Sequence, residues 1–236
     1  MHDHFGREPT CLVNNAGIVG PVEERDIVSM QKEDLDLVLA TNVYGPFYCC
    51  REFVRRRRLE ANSRCSTVLD NDDDDNDNDN NNYNNKNDAS SSSSVYNKSS
   101  TPNHKKIERT QQQHIIIKAG GTIVNVTSGL MKQKGHPLFY SMSKGCLDSM
   151  MLGLSKALPD SDGIRMNAVA PGTTKTDLVS DQREREVTES GVIPMGRIGT
   201  PEEVAEVIAF LLGKSSSYCC GATISITGEG NSRVVR

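Results

Sequence analysis

The sequence predicts an α/β chain built on a parallel sheet covered by helices on both faces. Three observations point there. Short apolar or β-branched runs alternate with longer stretches whose apolar residues recur at helical spacing. The first and third of those runs close on turn residues, Asn14-Asn15-Ala16-Gly17 and Pro171-Gly172. The last helical stretch opens on a proline start with a capping residue before it.

In chain order, Cys11-Leu-Val-Asn14 reads as a buried strand entering a turn. From Met30 to Arg58 the apolar residues Leu35, Val38, Leu39, Val43, Phe47, Phe53 and Val54 follow a helical period, and Gly45-Pro46 interrupts them. A bent helix or two consecutive helices is therefore expected. Gly120 to Ser128 is a β-branched strand. A helix follows from about Pro137 to Leu158, with Leu147, Met150, Met151, Leu154 and Leu158 on one face. Ile164–Ala170 is the next strand. Thr200-Pro201-Glu202-Glu203 combines an N-cap, a first-turn proline and a glutamate three residues on. Val204, Val207, Ile208, Leu211 and Leu212 give the helix it opens a buried stripe, and Ala222–Thr227 is a last strand.

Composition divides the 236 residues into two populations. Residues 59–114 are almost wholly polar: Asp70 to Asp88 is nearly all Asn and Asp, followed by Ser90–Ser94, Ser99-Ser100 and Gln111–Gln113. Such a stretch cannot bury enough apolar surface to offset its ordering entropy, so it is expected to be disordered. Closing a long loop costs only a logarithm of its length. It therefore reads as an insertion within one domain, made of residues 1–58 and 115–236. Net charge is −4, with much of the acidity in the Asp run, so there is no electrostatic case for a nucleic acid or membrane partner. Arg55–Arg58 reads as a solvated helix C-terminus, where cations suit the dipole, rather than a basic patch. The seven cysteines are odd in number and include no C-x-x-C pair, so neither a disulfide framework nor a zinc site is expected and a reducing, cytoplasmic setting fits better. No secretory h-region opens the chain, and no apolar run has the length of a membrane span, so a soluble protein is expected. His2 and His4 read as a solvated terminus, so no metal is expected.

Tyr140 and Lys144 stand four apart on the predicted helix and project from one face. An unperturbed tyrosine titrates near pH ~10, and a neighbouring ammonium would lower that value towards a working range. Ser128 ends the preceding strand, where its hydroxyl could meet a substrate carbonyl and the Tyr140 hydroxyl together. Ser141-Met142-Ser143-Lys144 also matches the S-x-x-K of penicillin-binding enzymes, but no S-D-N or K-T-G accompanies it.

The ordered set Asn14-Asn15-Ala16-Gly17, Asn42, Ser128, Tyr140-x-x-x-Lys144 and Asn167-Ala168-Val169-Ala170-Pro171-Gly172 resembles the short-chain dehydrogenase/reductase family, in its classical branch. The resemblance covers residues 6–58 and 119–230. It implies a Rossmann-like doubly wound parallel sheet and an oxidoreductase that interconverts a carbonyl and a secondary alcohol by hydride transfer with NAD or NADP, NADP being preferred. Tyr140 would be the general acid/base. Lys144 would bind the nicotinamide ribose and depress the tyrosine, and Ser128, with Thr127 as fallback, would orient the carbonyl. Asn42 would hold the water of a proton relay. Asn15, Ala16 and Gly17 would border the adenosine side; Pro171 and Gly172 would seat the nicotinamide, with Thr174 and Thr176 contacting it. Thr173 to about Pro194 corresponds to a mobile substrate lid. The segment Pro194–Glu203 looks most like reductases of 3-oxoacyl or sugar-type substrates. A homo-oligomer, dimer or tetramer, is implied as well.

One part of the family pattern is not met. Family members open with a strand and a T-G-x-x-x-G-x-G turn that cradles the pyrophosphate at a helix N-terminus, and about 75 residues of that kind are expected to be missing. Gly17-x-x-Gly20 is no substitute, because spacing and helix context differ. The first βαβ half would thus be absent, and Cys11–Asn14 would become an exposed edge. The expectation is a truncated product of a longer enzyme; the alternative is a degenerate copy that no longer binds cofactor.

Overall fold

The computed structural model describes residues 8–20, 26–69, 118–129 and 137–228. The chain divides into two compact units, residues 1–60 with 118–236 and residues 61–117. The sheet and the site belong to the first. His2, His4 and the Asn/Asp/Ser-rich tract beyond residue 69 lie outside the described residues.

Four strands, β1 (Cys11–Asn14), β2 (Gly121–Val126), β3 (Ile164–Pro171) and β4 (Thr223–Ile226), pair in parallel in the order β1-β2-β3-β4. The helices are α1 (Lys32–Leu39), α2 (Gly45–Leu69), α3 (Leu138–Ser161), α4 (Asp181–Glu189) and α5 (Pro201–Leu212). Because side chains alternate across a strand, adjacent residues feed opposite layers. Ile123, Ile164, Met166 and Ala168 pack with Cys50 and Phe53 of α2 and with Met151 and Leu158 of α3. Their strand neighbours Val124, Val126 and Val169 pack on the other face under Leu211, Val204, Val207, Ile208 and Leu212 of α5, with Ile224 and Ile226 of β4. That is the two-layered cover read from the sequence.

The start of α5 forms as its residues dictate: Thr200 Oγ accepts from the Glu203 amide at 3.4 Å, and Glu203 Oε2 accepts from the Thr200 amide at 2.9 Å. Arg165 closes the other end of that helix. Its guanidinium donates to the carbonyls of Leu211, Gly213, Ser216 and Cys219 at 2.9–3.4 Å, meeting acceptors that a helix C-terminus leaves open.

Two expectations about the first helical stretch need correction. The irregularity falls not at Gly45-Pro46 but one turn earlier, where Ala40–Tyr44 is π-helical, and Pro46 sits harmlessly in the first turn of α2. The helix also does not stop at Arg58; it continues to Leu69, into the stretch expected to be disordered from residue 59. The arginine run is no helix terminus either, and only Arg55 and Arg58 in it are exposed. Arg57 is 3% exposed, and its guanidinium donates to the carbonyls of Ala119 and Gly120 and pairs with Glu60. Arg58 holds the buried Asp162 through two hydrogen bonds of 2.5 and 2.9 Å. Arg56 reaches Glu52 and Glu8. With Leu59, Glu60 and the buried Ala61 all good helix formers, nothing ends the helix there.

β1 occupies one edge of the described sheet, pairing with β2 alone, and its Val13 is 37% exposed. Among the described residues no helix is long and apolar enough to cross a membrane.

Candidate active site

Parallel pairing brings the C-terminal ends of β1, β2 and β3 to one side of the sheet, where ligands bind in open α/β folds. Those ends carry Asn15–Gly17, Thr127–Gly129 and Pro171–Thr174.

Helix α3 delivers Tyr140 and Lys144 to this side. Lys144 is 4% exposed, and its Nζ donates to the Val126 carbonyl at the end of β2, at 2.8 Å. The same Nζ lies 5.7 Å from the centre of the Tyr140 ring. Ser128, 2% exposed, is hydrogen-bonded by its side chain to Tyr140. Thr127 is not a rival for that position: its hydroxyl donates to the Val169 carbonyl at 3.0 Å. Burial pushes the Tyr140 phenol above its usual value, and the Ser128 hydrogen bond partly opposes this. The net direction is thus upward, where the sequence alone suggests a lowering by Lys144. Burial acts on the lysine too and pushes its ammonium down to about 8.

Asn42 lies in the π-helical turn and is fully buried. Its amide forms a two-way bond with the backbone of Ile18, Nδ2 donating to the carbonyl and Oδ1 accepting from the amide, both at 2.8 Å. Nδ2 also donates to Ser143 Oγ at 2.9 Å. Both amide hydrogens are therefore committed to protein partners, and a relay water would have to be met by the remaining lone pair of Oδ1. Gly17 is pressed against this group: a Cβ on it would stand 3.2 Å from Lys144 Nζ and 3.4 Å from Asn42 Oδ1. The missing side chain at this position makes room for the amine as well as for any ligand. Asn15 and Ala16 are exposed beside it.

At the end of β3, the Gly172 amide donates to the Ile226 carbonyl, and a Cβ there would meet the Thr227 Cα at 3.0 Å. Thr174 donates its hydroxyl to the Gly172 carbonyl at 3.1 Å and bridges to Gly199; Thr176 donates to the Thr174 carbonyl at 3.5 Å. These hydroxyls shape their own loop. The segment read as a lid contains α4, whose N-cap Ser180 accepts from the Arg183 amide. Ser143 is the residue the sequence reading passed over, weighed only as part of S-x-x-K. No local pattern announces a partner 101 residues away.

A family model described as enoyl-(acyl carrier protein) reductase matches residues 104–228. The uncharacterized oxidoreductase YgfF of Escherichia coli is 31% identical over 230 residues, covering 96% of this chain and 70% of that protein. The 3-oxoacyl-[acyl-carrier-protein] reductase FabG of Chlamydia muridarum is 38% identical over 122 residues, 48% of this chain and 46% of that protein. The chain thus spans about half the length of most of the curated relatives it matches. Among solved structures, ElxO with NADP bound is 22% identical at a TM-score of 0.61, over 96% of this chain and 68% of that one, a likeness of fold.

Proposed function

The chain belongs to the short-chain dehydrogenase/reductase family, and on that premise we propose that its site serves an NAD(P)-dependent interconversion of a carbonyl and a secondary alcohol. The observation that carries this reading is the Ser128–Tyr140 hydrogen bond beside a buried Lys144 at the carboxyl ends of parallel strands. The site's donor set fits a nicotinamide nucleotide. Among the described residues the Lys144 ammonium has one hydrogen bond, to Val126, so two of its three donors can take ribose hydroxyls. Asn15, Ala16 and Gly17 would border such a nucleotide on one side, and Pro171 and Gly172, with Thr174 and Thr176, on the other. When bound, the nicotinamide supplies or accepts the hydride.

Everything else falls to this chain's side chains. With a carbonyl bound, Ser128 and Tyr140 would give up their mutual hydrogen bond and both donate to one substrate oxygen, fixing the carbonyl and stabilising the charge that develops on it. Tyr140 then gives its proton to that oxygen, or takes one from an alcohol in the reverse direction. A phenol held protonated by burial suits the reductive direction at neutral pH. Asn42 supports the geometry from the π-helical turn. A 3-oxoacyl thioester is the substrate class to try first, in line with the family description and the FabG likeness.

In the same reading the protein works in a reducing, cytoplasmic setting, consistent with the free cysteines among the described residues. It acts as a homo-oligomer. Tyr44, Phe47 and Tyr48 near the start of α2 and Met142 and Leu152 of α3 leave apolar surface exposed, which self-association would cover. Light scattering of the purified protein decides that point.

Titration with NADPH and NADH, followed by nucleotide fluorescence, tests the assignment. Binding of either is expected, and Tyr140→Phe should abolish carbonyl reduction while leaving binding in place. A chain that binds neither nucleotide, or a Phe variant that turns over like the parent, overturns the reading.

A further inference from the structure

We infer that Ser143 is a positioning residue whose hydroxyl, held between the Asn42 amide and the Tyr140 carbonyl, locks the Gly17–Ile18 loop against Lys144. Its structural content stands on its own; its effect on turnover rests on the oxidoreductase reading.

Ser143 is fully buried in α3. Its hydroxyl donates to the Tyr140 carbonyl at 2.7 Å, a back-bond that helical serines often make and that means little by itself. The acceptor side sets it apart. Asn42 Nδ2, arriving from the π-helical turn, donates to the same oxygen at 2.9 Å. Asn42 is fully buried, so each of its hydrogens needs a partner, and the described structure provides two: the Ile18 carbonyl and Ser143. With both satisfied, the amide cannot rotate, and its Oδ1 stays on the Ile18 amide. Ile18 follows Gly17, on which a Cβ would stand 3.2 Å from the Lys144 amine, so the amine lies over the glycine's open side while Val126 holds it. One hydroxyl thus anchors a line of neighbours, Ser143 to Asn42 to Ile18, which brings Gly17 beside Lys144. Three separate chain segments meet in it, and Lys144 is the residue next to Ser143. Through these two hydrogen bonds Ser143 acts on the groups it holds.

The test is Ser143→Ala, a change that favours the helix and keeps the volume. Amide hydrogen exchange is followed by NMR in the purified chain. Losing the hydroxyl leaves one Asn42 hydrogen without an acceptor, so the Ile18 amide is expected to exchange about tenfold faster, with β3 unchanged. In a Ser143→Ala/Asn42→Ala double variant the effects should not add, because both remove the same tie. Ser143→Thr, which keeps the hydroxyl, should exchange like the parent and guards against a poorly folded alanine variant. Unchanged exchange at Ile18, or additive effects, overturns the inference. In turnover, kcat should fall about tenfold with KM held within about twofold, as for a misplaced catalytic group; a loss confined to KM overturns it. A parent chain without nucleotide binding sinks the oxidoreductase reading alone, since the exchange arm still decides Ser143.

Discussion

Replacing Lys144 with methionine is expected to stabilise the chain at neutral pH and to lose that advantage as the pH rises. The side chain is 4% exposed, and burial pushes its ammonium from 10.5 down to about 8. Between those two values the folded chain binds fewer protons than the unfolded one, so stability climbs with pH across that window and the full penalty stands below it. The gap corresponds to about 3 kcal/mol. Methionine avoids the penalty but leaves the Val126 carbonyl without its donor, a loss of about 1 kcal/mol, so the net gain near pH ~7 is about 2 kcal/mol. By pH ~10.5 the order should reverse, with the parent ahead by about 1 kcal/mol. Urea unfolding of both proteins at four pH values measures the difference, best in a Tyr140→Phe background so that the neighbouring phenol does not titrate in the same range. A difference that stays constant with pH refutes the argument, because it would mean that the amine titrates alike in both states. The expected outcome would also explain why a buried amine is kept at a site: it sacrifices stability for chemistry.

Further outcomes follow from the same geometry. Ser128→Ala should remove carbonyl reduction, whereas Thr127→Val should leave kcat unchanged and cost about 1 kcal/mol in thermal unfolding, since its hydroxyl serves Val169. Arg57→Met should destabilise by about 3 kcal/mol in urea unfolding, because it strips the donors from two half-buried backbone carbonyls and removes the ion pair to Glu60. Thr200→Ala should cost about 1 kcal/mol through the lost cap of α5, with nucleotide affinity unaltered.

Much of this molecule was legible in one dimension because its signals are local. The capping box at Thr200 and Glu203 needs only three residues of separation, and the buried stripe of α5 needs only helical periodicity. Tyr140 and Lys144 fall on one helical face by their spacing alone. The misreadings share a cause. Gly45-Pro46 is a local interruption, yet the irregular turn formed around Asn42, where a buried amide binds a loop 24 residues earlier. Arg57 reads as a surface cation until the start of β2 offers it two carbonyls from 62 and 63 residues away.

The sequence by itself determined the layer architecture, the order of the elements and the placement of Tyr140 and Lys144 on one helical face, because periodicity and capping are properties of neighbouring residues. Only the tertiary structure decided which hydroxyl pairs with the tyrosine, which way burial moves the tyrosine and lysine, and that Ser143 ties the buried Asn42 to the helix carrying both. Those outcomes depend on what distant segments bring to a buried polar atom, and once water is excluded a hydrogen bond or its absence outweighs any local preference.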